Sequence, residues 1–126
     1  MPKKKEAPTD PIPTDVKPMT PALIDKVATR FRALSDPNRL SLLQLLIAGD
    51  KSVNALAEAS GLNLANTSKH LALLCSAGFI ARRKEGTRAI YHLASDTPRL
   101  LCDLVCQEVR NQVERDVAIT NGDASG

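Results

Sequence analysis

Ser52–Leu74, SVNALAEASGLNLANTSKHLALL, is the stretch whose reading decides the fold. It reads as two short helices around a tight turn. In the first, Val53, Leu56 and Ala57 fall on one face at helical spacing. Gly61 can take a positive φ and closes the turn after that helix. Asn63 is a good N-cap for the second helix. That helix turns Thr67, Leu71 and Leu74 to the core and carries Asn66, Ser68, Lys69 and His70 on its opposite face. A cationic, hydrogen-bonding helix held against a first helix by a glycine turn meets the physical requirement for reading a DNA major groove. An ordinary helical hairpin with a solvated face shares the pattern, so the flanking sequence has to decide.

The segment after this helix pair is basic and alternating. Ala77-Gly78 ends the second helix, and Phe79-Ile80-Ala81-Arg82-Arg83-Lys84 reads as a strand that turns cationic. Glu85-Gly86-Thr87 is a hairpin tip, and Arg88-Ala89-Ile90-Tyr91-His92-Leu93 alternates as the return strand. A two-stranded ribbon directly after a helix-turn-helix predicts a winged helix. Arg82, Arg83, Lys84 and Arg88, opposed in the ribbon only by Glu85, are the residues predicted to lie along phosphates.

Upstream, Ala33-Leu34-Ser35-Asp36-Pro37-Asn38-Arg39-Leu40 followed by Leu42-Leu43 resembles the signature that opens the second helix of the ArsR/SmtB family. Ser68-Lys69-His70-Leu71 is similar to that family's recognition-helix pattern, and Leu74 through Ile80 to its lead into the wing. Glu85-Gly86 with Tyr91 is similar to its wing. The resemblance covers roughly residues 20–116. It implies a dimeric winged-helix repressor, of a kind often released from DNA by metals or metalloids. It leaves the inducer open, because sensing sites differ between members.

At 126 residues the chain is expected to hold one domain with tails: an arm over 1–19, a DNA-binding and dimerisation domain over 20–117, and a tail over 118–126. Phe31, Phe79 and Tyr91 are its only aromatic residues, so the core must be aliphatic. No apolar run approaches the ~20 residues of a membrane span. The first residues, MPKKKEAPTDPIP, lack the apolar segment of a secretory signal, so a cytoplasmic location is expected. The formal charge of +3 is modest, and its concentration in the ribbon matters more. No Ser/His/Asp arrangement, phosphate-cradling glycine loop or carboxylate pair is apparent, so no enzyme is expected.

Thr20-Pro21 opens a first helix in which Leu23, Ile24, Val27, Ala28, Phe31 and Leu34 recur at helical spacing. Ser35 or Asp36 caps the second helix, with Pro37 behind it and Leu40, Leu43, Leu46 and Ile47 as its expected apolar set. Arg39 is expected to be structural, pairing with a carboxylate or a helix end. Ser95-Asp96-Thr97-Pro98 opens a last helix running to about Val117, striped with Leu100, Leu101, Leu104, Val105, Val109 and Val113. Such a stripe on a chain with little core left predicts packing on a partner. The family resemblance implies a homodimer built from the first and last helices. The predicted fold class is therefore mainly α with a small β-wing.

Three cysteines without a CxxC do not suggest a disulfide framework. Cys102 and Cys106 stand one turn apart on the last helix. Their β-carbons should be roughly 5–6 Å apart, wider than the ~3.5–4.5 Å of a disulfide. Two thiolates at this spacing suit a shared soft ion such as As(III), Sb(III), Cu(I) or Cd(II). Small apolar packing is the plainer role for any cysteine. The first helix of the helix-turn-helix, where the best-known arsenic and cadmium sensors of the family carry their cysteines, has none here. Cys75, at the end of the recognition helix, is expected to pack, with a third-ligand or redox role as the alternative. His70 and His92 lack neighbours at ligand spacing. The reading that emerges is a repressor released when As(III) or Sb(III) binds Cys102 and Cys106. A thiol redox or persulfide switch on the same fold is the alternative, and a protein-interaction module a more distant one.

Overall fold

The structure, a computed structural model, describes the backbone of residues 17–125 and the side chains of residues 17–118. Most of the expected N-terminal arm, with its Lys3-Lys4-Lys5 run, lies outside the described residues. The order is α1 (Pro21–Leu34), α2 (Pro37–Ala48), β1 (Lys51–Ser52), α3 (Val53–Ser60), α4 (Leu64–Ser76), β2 (Ile80–Glu85), β3 (Arg88–Leu93) and α5 (Thr97–Ser125).

Each of the first four helices begins at a side chain that replaces a missing backbone partner. Thr20 Oγ1 accepts from the Leu23 amide at 3.2 Å. Asp36, rather than Ser35, caps α2, accepting from the Asn38 and Arg39 amides at 2.8 and 3.1 Å. These bonds, that to Arg39 foremost, hold the Asp36 carboxyl below the ordinary aspartate value. Ser52 caps α3 through the Ala55 amide at 3.1 Å, and Asn63 caps α4 through the Asn66 amide at 2.7 Å. Gly61 closes α3 at φ 76°, the left-handed conformation expected of it.

Cations finish helices at the other end. Arg39 Nε donates to the Ala33 carbonyl at 2.6 Å and Nη2 to that of Arg32 at 3.2 Å, closing α1. Lys51 Nζ donates to the Leu45 and Gly49 carbonyls at 2.9 and 3.3 Å, closing α2. Arg30 Nη1 donates to the Ala77 carbonyl at 2.6 Å, at the end of α4. Each places positive charge where a helix exposes its negative pole. Gly78 makes room for the last of these. It sits at φ 84°, and a β-carbon there would come within 2.7 Å of Arg30 Nη1.

The sheet has the order β1-β3-β2 and is antiparallel throughout. The ribbon β2–β3 turns at Gly86-Thr87, as expected. The sequence did not predict β1, a two-residue strand pairing Lys51 with Tyr91 and Ser52 with Ile90. It is too short to show alternation, and it exists because β3 offers it an edge.

Leu42, Leu43, Leu46, Leu56, Leu71 and Leu74 are essentially removed from solvent, with Ala77, Phe79, Ile80 and Tyr91 closing the core around them. Each buried leucine contributes about 2 kcal/mol of transfer free energy. The expected faces of α3 and α4 are borne out in Leu56 and in Thr67, Leu71 and Leu74. The Thr67 hydroxyl is satisfied by donating to the Asn63 carbonyl at 2.9 Å. The face of α2 needs correcting: Leu42 takes the place expected for Leu40, which is 42% exposed, and Ile47 is only half-buried. Because α2 packs against α1, α3, α4 and β3, its buried face is set by four neighbours rather than by the widest apolar arc.

Two elements contribute little to this core. No residue of α1 is buried. Among the described side chains of α5 only Pro98 is fully buried, while Leu101 and Cys102 pack on the core's edge. The helix also runs through Ser125 instead of ending near Val117. No proline follows Pro98 to break it, and the helix continues through Gly122.

Candidate nucleic-acid interface

The core face of α4 fixes what its other face presents. With Thr67, Leu71 and Leu74 buried, Asn66, Ser68 and Lys69 are exposed. Lys69 has no carboxylate partner among the described residues. His70, predicted as part of the same exposed face, is half-buried instead. Its Nδ1 lies 3.3 Å from Arg39 Nη1. The reason is tertiary: the end of α1 and the start of α2 come alongside α4 here, which the periodicity of α4 could not reveal.

In the ribbon the four predicted cations divide. Residues directly opposite in an antiparallel pair share a face, and neighbours along a strand alternate. Arg82 and Lys84 therefore lie on one face, Arg83 and Arg88 on the other. Arg83 is held by two carboxylates, Nη1 to Asp50 Oδ2 at 2.9 Å and Nη2 to Glu85 Oε2 at 2.8 Å. These bonds, Asp50 first, raise its pKa further above that of a free guanidinium. Asp50, remote in sequence, thus corrects the expectation that Glu85 alone opposes the ribbon's charge. Arg82, Lys84 and Arg88 form no ion pair among the described residues. Arg82 is close enough to α4 to pull down the Cys75 thiol pKa, although burial of that half-exposed thiol outweighs it and the net shift is upward.

The thiols are spread over two elements. Cys75 and Cys102 are half-buried against the core, and Cys106 is exposed. Burial pushes the Cys102 thiol up, and the neighbouring Asp103 and Cys106 push the same way. Arg99, the nearest cation in sequence, is occupied by Asp96 at 2.7 Å and Asp103 at 3.8 Å. Among the described residues no three His, Cys, Asp or Glu side chains gather as metal ligands would. Cys75 therefore does not join Cys102 and Cys106 in a three-ligand site within one protomer. Cys102 lines an open apolar groove of about 670 Å³ between α1 and α5, walled by Ala28, Phe31, Leu40, Leu101 and Val105. His92 is half-buried, with Nδ1 3.1 Å from the Leu93 carbonyl oxygen. Among the described residues no helix is long and apolar enough to cross a membrane.

A helix-turn-helix with an exposed polar second helix, followed by a cationic β-ribbon, defines the winged-helix class of DNA-binding domains. Comparisons with known proteins agree. A helix-turn-helix domain family model matches residues 34–83. The chain is 40% identical over 105 residues to the HTH-type transcriptional regulator Rv0324 of Mycobacterium tuberculosis, covering 83% of this chain and 46% of that one. It is 36% identical over 81 residues to the probable mercury resistance operon repressor of Streptomyces lividans, covering 64% of this chain and 62% of that one. The solution structure of the homodimeric winged helix-turn-helix DNA-binding domain of Mb0332 from Mycobacterium bovis matches with TM-score 0.71 and 38% identity, covering 75% of this chain and 87% of that one. The chain thus spans about half to under two-thirds of the length of these curated relatives. It belongs to the ArsR/SmtB family of winged-helix transcriptional regulators.

Proposed function

We propose that this protein is an operator-binding repressor that works as a homodimer and leaves DNA when a thiophilic ion binds Cys102 and Cys106. The observation that carries the DNA half is the exposed Asn66–Ser68–Lys69 face of α4, with Arg82 and Lys84 on the adjacent ribbon. Each α4 enters a major groove, and a two-fold axis sets the two half-sites about 34 Å apart. Lys69, Arg82, Lys84 and Arg88 supply salt-dependent affinity by displacing counterions. Arg83 instead braces the ribbon against Asp50. Self-association is supported by the exposed apolar side chains of α1 and α5, including Phe31, Leu104 and Val109, and by the homodimeric relative.

The inducer half rests on the donor set. Two thiols one turn apart match soft ions and offer nothing to Mg or Ca. As(III) or Sb(III) would take both thiolates and need a third donor, from the partner subunit or a small thiol. Hg(II) is satisfied by two thiolates, and the mercury repressor among the relatives makes it the natural competitor. The raised Cys102 thiol disfavours the redox alternative, which needs a low-pKa cysteine. Ion binding displaces the thiol protons, so apparent affinity rises with pH. Only an ion that prefers the DNA-incompetent dimer releases DNA, with a coupling of about 1–3 kcal/mol.

The test is operator release from reduced protein by As(III), Sb(III), Hg(II), Zn(II) and polysulfide. The expected result is release by one of the first three, lost in Cys102→Ser and Cys106→Ser while DNA binding persists. Undiminished release in the double variant would overturn the ligand assignment, and release by polysulfide alone would favour the redox reading.

A further inference from the structure

We propose that Arg39 is a positioning residue for DNA recognition, holding His70 of α4 in one tautomer and tying it to the end of α1. The guanidinium makes three hydrogen bonds to two different structures. Two go to the Ala33 and Arg32 carbonyls at the close of α1, at 2.6 and 3.2 Å. The third spans 3.3 Å to His70 Nδ1. Arginine has donors only, so that bond requires the lone pair on Nδ1. The proton of the neutral imidazole then sits on Nε2, so His70, half-buried one turn after Asn66, holds one defined donor. Without the guanidinium, either nitrogen could carry the proton.

The same bonds tie α4 to the helix whose apolar side chains are exposed. Arg30, within α1, grips the Ala77 carbonyl at the end of α4 at 2.6 Å. Arg39 fastens α1 to the middle of α4. With both ties in place, a shift of α1 moves the donor on His70 with it. This rests on α4 being the DNA-reading helix. It goes beyond that reading by placing a residue outside the helix-turn-helix, and outside the DNA contact face, in control of what the helix presents.

The experiment uses the full chain in two measurements. Imidazole ¹⁵N NMR without DNA reads the tautomer directly. The wild type is expected to show His70 Nδ1 as the unprotonated nitrogen, and Arg39→Lys a mixture of tautomers. A wild-type His70 with its proton on Nδ1, or a mixture unchanged by Arg39→Lys, would overturn the proposal. The second is a double-mutant cycle on a duplex enriched from random DNA by the wild-type protein. His70→Gln keeps a donor near Nε2 but has no acceptor at the Nδ1 position that Arg39 uses. Arg39→Lys is expected to weaken binding about tenfold in the wild type and about twofold in His70→Gln. Equal costs in both backgrounds would mean that Arg39 merely caps α1, and would overturn the proposal. Failure of the wild type to enrich any duplex would instead refute the DNA reading, while the nitrogen spectrum still judges the Arg39–His70 tie.

Discussion

In α2, α3 and α4 one set of apolar side chains leaves solvent completely: Leu42, Leu43, Leu56, Leu71 and Leu74 are all 0% exposed. In α1 and α5 the same kinds of side chain stay outside, with Phe31 57%, Leu104 70% and Val105 61% exposed. The stripes are equally legible in sequence, yet one set finds partners within the chain and the other does not. The difference teaches that one protomer completes the DNA-reading half by itself, whereas the α1/α5 half is built to be covered. An exposed apolar surface of this extent marks an interaction face. Cys102 and Cys106 both lie on α5, Cys102 at the core's edge and Cys106 exposed.

The largest effect that would test this contrast is Leu71→Ala. A fully buried leucine truncated in the shared core should cost about 2–5 kcal/mol, read by chemical denaturation. A loss under about 1 kcal/mol would mean that the α2–α4 core is not the self-sufficient unit described. Next, Leu104→Glu should weaken self-association about a hundredfold or more by placing an unpaired carboxylate in the interface. Sedimentation should show monomers while circular dichroism keeps its helical signal. Unaltered self-association would move the interface away from this part of α5. The smallest effect concerns the ribbon. Arg82→Ala should reduce the slope of log affinity against log salt by about 1, whereas Arg83→Ala should change it much less. Equal changes would show that DNA takes Arg83 away from Asp50 and Glu85.

The site was legible where it depended on neighbours along the chain. Thr20, Asn63 and Gly61 act as read, because caps and turns are local chemistry. The burial of Thr67, Leu71 and Leu74 follows from helical spacing, and so does the exposure of Asn66, Ser68 and Lys69. Three features escaped. Asp50 meets Arg83 across 33 residues, Arg39 meets His70 across 31, and Arg30 meets Ala77 across 47. No periodicity carries such pairings, because they arise only when separate elements are brought side by side. Arg39 offered a partial signal, since a cation just inside a helix start, after a Ser-Asp cap, has the preceding helix's carbonyls within reach.

By itself, then, the sequence determined the helices, their caps, the ribbon and its turn, and the family to which they belong. Each of these follows from hydrogen bonding and apolar spacing within a few residues. Tertiary structure alone decided which face of α2 is buried, that β1 exists, and that Arg83 is occupied while Arg82 and Lys84 are not. It also decided that His70 answers to Arg39. In each case the deciding energy is an approach between groups far apart in the chain, which exists only once the core has brought them together.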